Sequence, residues 1–161
     1  MARDIEVSKR ETENAGAAPA DLADRFIAAS KATPTNRVTI AGHENFQLMI
    51  ALCRRGFTKV ECQAANFRSR AASTPADILF ASHIRSEADL SRVLAGIGCR
   101  LCRDGVLVVD VTADDALFSE RQLRTVLLDS GFATIERLGG CDERGTLWCA
   151  HRRAPALALA A

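Results

Sequence analysis

The stretch from Arg37 to Gln63 constrains the fold more than any other, because it spells a strand, a tight turn, a helix and a second strand in one short run. Val38 to Ala41 is apolar and β-branched and stops at Gly42, the pattern of a strand buried on both faces of a parallel sheet. Glu44 to Arg55 carries Phe46, Met49, Ile50 and Cys53 at i, i+3, i+4 and i+7, which predicts one apolar helix stripe. Arg54 and Arg55 suit the C-terminal end of that helix, and Gly56 can take the left-handed conformation that ends it. Gly56 to Gln63 reads as the next strand. A strand, a crossover helix and a strand imply parallel pairing with a right-handed connection. In such a unit, ligands bind past the carboxyl end of the first strand and against the helix N-terminus. The run Gly42, His43, Glu44, Asn45, Phe46 occupies that place.

The remaining chain repeats the alternation. Asp21 to Lys31, with Leu22, Phe26 and Ile27 on one side, predicts a short helix packing on the sheet, and Thr33 to Asn36 a turn into the first strand. Asn66 to Pro75 is polar and reads as a loop. Asp77 to Ser82 is a clear strand. Ser86 and Asp89 form a capping-box variant ahead of a helix with Leu90, Val93, Leu94 and Ile97 on its apolar face. Cys99 to Asp104 leads into Gly105–Val111, the strongest strand signal in the chain. Ser119 with Gln122 makes a capping box, with Phe118 and Leu123 in the staple positions and Leu123, Val126 and Leu127 as the stripe. Phe132 to Arg137 and Thr146 to Arg152 then read as strands joined by a Gly-rich turn, a connection too short for a crossover and long enough for antiparallel pairing.

Composition narrows the partners. The 161 residues suffice for one domain with a real core, and 48% hydrophobic with 25% charged residues is ordinary for a globular chain. A formal net charge of +1 argues against a dedicated nucleic-acid partner. No apolar run approaches the ~20 residues that span a bilayer, and the mixed-charge N-terminus lacks the apolar centre of a signal peptide. A cytoplasmic location is the expectation, and with it six reduced cysteines. Residues 1–18 read as a loose tail, 19–153 as the domain and 154–161 as an Ala-rich tail.

An α/β chain that runs parallel and finishes in one antiparallel hairpin resembles the class I S-adenosylmethionine-dependent methyltransferase family. The resemblance covers about residues 20 to 153 and is most specific from Leu94 to Arg152. It implies a mostly parallel, Rossmann-like sheet with helices on both faces, S-adenosylmethionine as cofactor, and Ala41, Gly42, His43, Glu44 and Gln63 in the cofactor-binding positions. These positions depart from the family pattern. One glycine, Gly42, stands where backbone approach to the cofactor usually uses two or three. Gln63, a neutral amide, stands where an acid normally accepts from both ribose hydroxyls, and Glu61 precedes it by two residues. Only a loop separates Gln63 from Asp77, so the helix and strand that help cover the adenine are absent from the pattern. Weakened or lost cofactor binding is the expectation. Two functional classes follow: a small-molecule or protein methyltransferase, or a non-catalytic relative that keeps the fold for binding.

Ser82 and His83 end a strand where the family often places catalytic or substrate-binding groups, and Asp110 ends the next one. Asp110, Asp114 and Asp115 share one edge of the sheet and suit a cation or amine substrate, or simple solvation. His43 either replaces a backbone donor, acts as a base, or fills the space that glycines vacated. Cys99 and Cys102 form a lone Cys-x-x-Cys without the four ligands of a structural zinc site, so inert thiols and no metal are expected. Arg68 and Arg70 are a weak phosphate signal. Leu159, Ala160 and Ala161 resemble the end of a bacterial degradation tag, or simply close an Ala-rich tail. With no strand after it, Lys59–Gln63 is expected at a sheet edge, covered by neighbouring chain or paired in a homodimer.

Overall fold

The computed structural model describes residues 19–43, 45–63, 74–97, 100–112, 119–138 and 145–152. Its elements in chain order are α1 (Pro19–Ser30), β1 (Val38–Gly42), α2 (Asn45–Arg54), β2 (Val60–Gln63), β3 (Ala76–Ile84), α3 (Glu87–Ile97), β4 (Leu101–Val111), α4 (Glu120–Asp129), β5 (Phe132–Leu138) and β6 (Thr146–Arg152). They build one sheet in the order β2-β1-β3-β4-β6-β5. The first four strands of that order are parallel, and β6 pairs antiparallel with both β4 and β5. The three most continuously apolar runs of the sequence are therefore the adjacent strands β1, β3 and β4, and among the described residues β2 is the outermost strand on one side, as expected. No described helix is long and apolar enough to cross a membrane.

The sheet is filled from both faces. Leu22, Phe26, Leu48 and Leu52 from α1 and α2 pack on Val38, Ile40, Ile78, Phe80 and Val108. The Phe26 and Phe80 rings stack there with centroids 4.4 Å apart. On the other face Leu90, Val93, Leu94 and Ile97 of α3 and Leu123, Val126 and Leu127 of α4 meet Leu79, Leu107, Val109 and Trp148. This two-sided arrangement follows from chain direction. The connection β1-α2-β2 steps one way along the sheet and β3-α3-β4 steps the other, so right-handed crossovers deliver their helices to opposite faces. The reversal lies between β1 and β3, and a crevice for a ligand belongs at the carboxyl ends of those two strands.

Several local expectations are corrected. The buried face of α2 is Leu48, Ala51 and Leu52, whereas Phe46 and Cys53 of the expected stripe are exposed and Met49 and Ile50 half-buried. Apolar residues surround most of this helix, so two stripes share the same spacing and the sheet selects the one carrying both leucines. The second strand is shorter than Gly56–Gln63 and begins at Val60. The third and fourth are longer: β3 continues through His83 to Ile84, and β4 begins at Leu101. The early start of β4 is accommodated by a register shift against β3, where Ala76 faces Leu101 but Ile78 faces Val106. The capping box of α4 is present with both bonds, Ser119 Oγ accepting from Gln122 N and Gln122 Oε1 from Ser119 N. At α3 only the Ser86 half is present, its hydroxyl accepting from Asp89 N at 3.2 Å. Phe118, Glu44, Arg68, Arg70, Cys99, Asp114, Asp115 and both terminal segments lie outside the described residues.

Candidate functional site

At the switch point the carboxyl ends of β1 and β3 are joined closely. Gly42 pairs with Ser82 in the ladder and has φ +108°, a conformation that side chains rarely adopt. A Cβ on Gly42 would collide with the Ser82 carbonyl oxygen. The one glycine of the turn thus lets two protein backbones approach. The His43 N–H donates to that same Ser82 carbonyl at 3.3 Å.

The Ser82 side chain completes the closure. It is 1% exposed, and its hydroxyl lies 2.7 Å from the His43 carbonyl oxygen, 3.1 Å from Asn45 Oδ1 and 3.4 Å from the Ala41 carbonyl oxygen. One proton serves these acceptors, and the shortest contact identifies His43 O as its main partner. Asn45, whose Oδ1 is the hydroxyl's alternative acceptor, ties the turn to β2, its Nδ2 donating to the Gln63 carbonyl at 3.0 Å. Ser82, the turn, the first residue of α2 and the end of β2 therefore form one network. Of the expected cofactor-binding residues, Ala41 lies buried beside Gln63 in the β1–β2 ladder and His43 is exposed.

His83 and Asp110 form a second group one strand over. His83 takes a left-handed φ of +53° at a register irregularity between β3 and β4, a strained choice for a residue with a Cβ. Its backbone N–H reaches Asp110 Oδ2 at 3.4 Å. Asp110 is only 3% exposed, and its Oδ1 has no hydrogen-bond partner among the described residues. Burial pushes the Asp110 carboxyl above its ordinary value, partly offset by His83, by the hydrogen bond from its backbone and by Arg25. Arg25 reaches over from α1 and donates to the Gly145 carbonyl at 3.1 Å.

Arg25 and Gly145 carry parts of this region without a signal in the sequence, and Asn45, part of the expected turn, spends its side-chain amide on the end of β2. Their bonds join positions 18 to 120 residues apart, and no local spacing encodes them. Cys102 Sγ lies 3.8 Å from Asp77 Oδ1, and no group of three or more His, Cys, Asp or Glu side chains that could hold a metal occurs among the described residues. Asp77, the second residue of β3, accepts from the Arg37 N–H at 2.8 Å, which aligns β3 with the entry of β1.

Tested against S-adenosylmethionine, these residues fit poorly. The β2 terminus presents the Gln63 amide, and its backbone carbonyl is taken by Asn45. Glu61, the nearest acid on β2, lines a cavity of about 140 Å³ with Arg37, Lys59 and Thr74, away from the turn. The glycine and the serine that could shape a cradle are bonded to each other's strands.

No protein-family model matches the sequence, and no curated protein sequence matches it. Solved structures do. Magnesium protoporphyrin IX methyltransferase from Synechocystis, with bound S-adenosylmethionine, superposes with a TM-score of 0.60 at 15% identity, covering 83% of this chain and 79% of that one. A protein from Nostoc punctiforme assigned as an O-methyltransferase gives 0.59 at 9% identity, over 84% of this chain and 57% of that one. The amino pentose methyltransferase CalS10 from Micromonospora echinaspora, also bound to S-adenosylmethionine, gives 0.51 at 14% identity over 84% and 90%. The chain thus spans just over half of the Nostoc protein and most of the other two. The sheet order, the two-sided helices and the closing antiparallel pair are those of the class I S-adenosylmethionine-dependent methyltransferase-like fold, and this chain has that fold.

Proposed function

We propose that the protein keeps the methyltransferase-like fold as a binding scaffold in the cytoplasm and takes S-adenosylmethionine weakly or not at all, with a dissociation constant above about 100 μM. One observation carries this: the network from Ser82 through His43 and Asn45 to Gln63 occupies the switch point with protein groups. A ligand entering there has to break those bonds, and a Gln63 amide repays less than a carboxylate accepting from ribose hydroxyls, by roughly 10- to 100-fold in affinity.

Thermal denaturation tests it. A ligand at 100 times its dissociation constant stabilises by about 2.7 kcal/mol, roughly 5–10 °C in a domain of this size. At about 1 mM cofactor, the expected shift is under about 2 °C. A shift of about 5 °C or more, confirmed by calorimetric titration, overturns the proposal.

A second reading is favoured by Asp110. A buried carboxylate oxygen without a partner among the described residues, beside a strained histidine, is unusual where only stability is at stake. In that reading Asp110 receives an amine or hydroxyl of a small-molecule or protein substrate, with Ser82 and His83 beside it, and the protein is an active methyltransferase. Production of S-adenosylhomocysteine from S-adenosylmethionine, lost in Asp110→Asn, separates it from the scaffold reading.

A further inference from the structure

The open flank of the sheet carries information that the cofactor region does not. Among the described residues no strand lies beyond β2, and within that set one side of Val60–Gln63 is a sheet edge. Val38 is opposite Val60, and its N–H donates to the Lys59 carbonyl at 2.9 Å. Alternation along a strand then turns the N–H and C=O of Val60 and Cys62 away from β1. Lys59, Glu61 and Cys62 are exposed.

We propose that this edge is the interface of a two-fold homodimer, with β2 pairing antiparallel to β2 of a second copy and centred on Val60. Charge and register select this arrangement. An antiparallel pair must set outward-turned residues opposite one another, which centres on Val60, Glu61 or Cys62 all achieve. Centring on Glu61 brings two glutamates face to face, which is repulsive. Centring on Cys62 leaves Glu61 opposite Gln63 and Lys59 without an acid. Centring on Val60 places Lys59 opposite Glu61 of the second copy and Glu61 opposite its Lys59, while the two Val60 residues exchange hydrogen bonds. The edge is complementary to itself in that register. A two-fold contact of this kind uses the same patch on both copies and stops at a dimer.

The neighbouring helix extends the same surface. The Cys62 thiol donates to the Asn45 carbonyl at 3.4 Å, so the outer strand runs beneath the first turn of α2. There Phe46 is 63% exposed, followed at i+4 and i+7 by half-buried Ile50 and exposed Cys53. This is the apolar stripe that the sheet did not use. Continuing the sheet across the two-fold axis brings the α2 helices of both copies side by side and gives their Phe46 rings a surface to cover.

Sedimentation equilibrium at about 100 μM protein tests the proposal, because dimer formation follows mass action. The wild-type chain is expected at twice 17.3 kDa. Glu61→Lys sets lysine opposite lysine twice and should weaken the dimer at least about fivefold, and the double exchange Lys59→Glu with Glu61→Lys should restore it. Phe46→Glu should weaken it independently. These positions are exposed, so each variant should keep the wild-type thermal midpoint by circular dichroism at a concentration where all are monomeric. A wild-type monomer overturns the proposal, including one whose Val60 and Cys62 amides are protected from exchange by other parts of its own chain. A dimer insensitive to Glu61→Lys, or a double exchange that fails to rescue, also overturns it.

Discussion

The Ser82 hydroxyl lies 2.7 Å from the His43 carbonyl oxygen, so a side chain at the end of β3 closes the turn that follows β1. That bond sits at the point where the sheet reverses its winding, the place where open α/β sheets hold ligands. With Gly42 pressed against Ser82 and Asn45 tied to Gln63, the turn is organised around the protein's own backbone. The absence of a Cβ at Gly42 is what lets the two strands approach this closely.

Gly42→Ala tests the tightness of that closure. The substitution adds a methyl group into the Ser82 carbonyl and forces alanine to φ +108°, so it should destabilise by about 2–4 kcal/mol in urea unfolding. Ser82→Ala removes the shared donor and should cost about 1–2 kcal/mol. Were Gly42→Ala neutral, the strands would have room that this geometry denies.

Asp110 should make the protein less stable as it ionises. Burial holds its folded-state carboxyl above the ordinary value, 3.8, so the group releases its proton at lower pH in the unfolded chain than in the native one. Its stabilising contribution is present below that ordinary value and is lost as pH rises through the raised one. Asp110→Asn should therefore be more stable than wild type at neutral pH, with the difference fading towards pH 3.8. Thermal midpoints across that range decide it. An Asn variant less stable at pH 7 would mean that the charge is compensated by a partner.

The sequence made the framework legible and the site only in outline. Long apolar runs such as Leu107–Val109 announce central strands because burial on both faces admits little else. The Ser119 and Gln122 pair was legible because both capping bonds are local. Strand endings bring Gly42, His43, Ser82 and Asp110 towards the carboxyl ends of their strands, although β3 runs two residues past Ser82. That Ser82 bonds to the β1 turn was not legible, since the contact depends on the register of two strands some 40 residues apart. The buried face of α2 was misjudged for a related reason. Phe46 and Leu48 are equally apolar, and only the direction in which the helix docks distinguishes them.

Trp148, the single tryptophan, reports on the opposite face of the sheet. Its ring is buried, with the Arg124 guanidinium 5.3 Å and that of Arg137 6.0 Å from its centre. Arg124 also donates to the Ile135 carbonyl at 3.3 Å and pairs with Glu120 at 3.0 Å. Arg124→Ala should uncover the ring, shift its fluorescence to longer wavelength and cost about 1–2 kcal/mol. Arg124→Lys keeps the charge but not the planar fork, and should recover only part of the loss. An unchanged spectrum in Arg124→Ala would show that the arginine does not cover the indole.

Cys149 should couple stability to alkaline pH. It is 3% exposed in β6, and burial, reinforced by the charge of Glu136 and opposed by Lys31, pushes its thiol from 9.0 up to about 11. The unfolded chain therefore releases this proton before the folded one does. The stability associated with the neutral thiol is complete below 9.0 and drains away as pH rises towards about 11. Removing the thiol removes the coupling. Between about pH 8 and 10.5, wild type should lose on the order of 2 kcal/mol more than Cys149→Ala in urea unfolding, while the absolute stabilities at pH 8 differ by the cost of the small cavity. Iodoacetamide at pH 8, followed by peptide mapping, gives an independent reading, since alkylation requires the thiolate. Cys149 should be modified after the exposed Cys53 and Cys62. Parallel pH profiles for wild type and Cys149→Ala, together with early labelling of Cys149, would mean that β6 opens far more readily than its place between β4 and β5 implies.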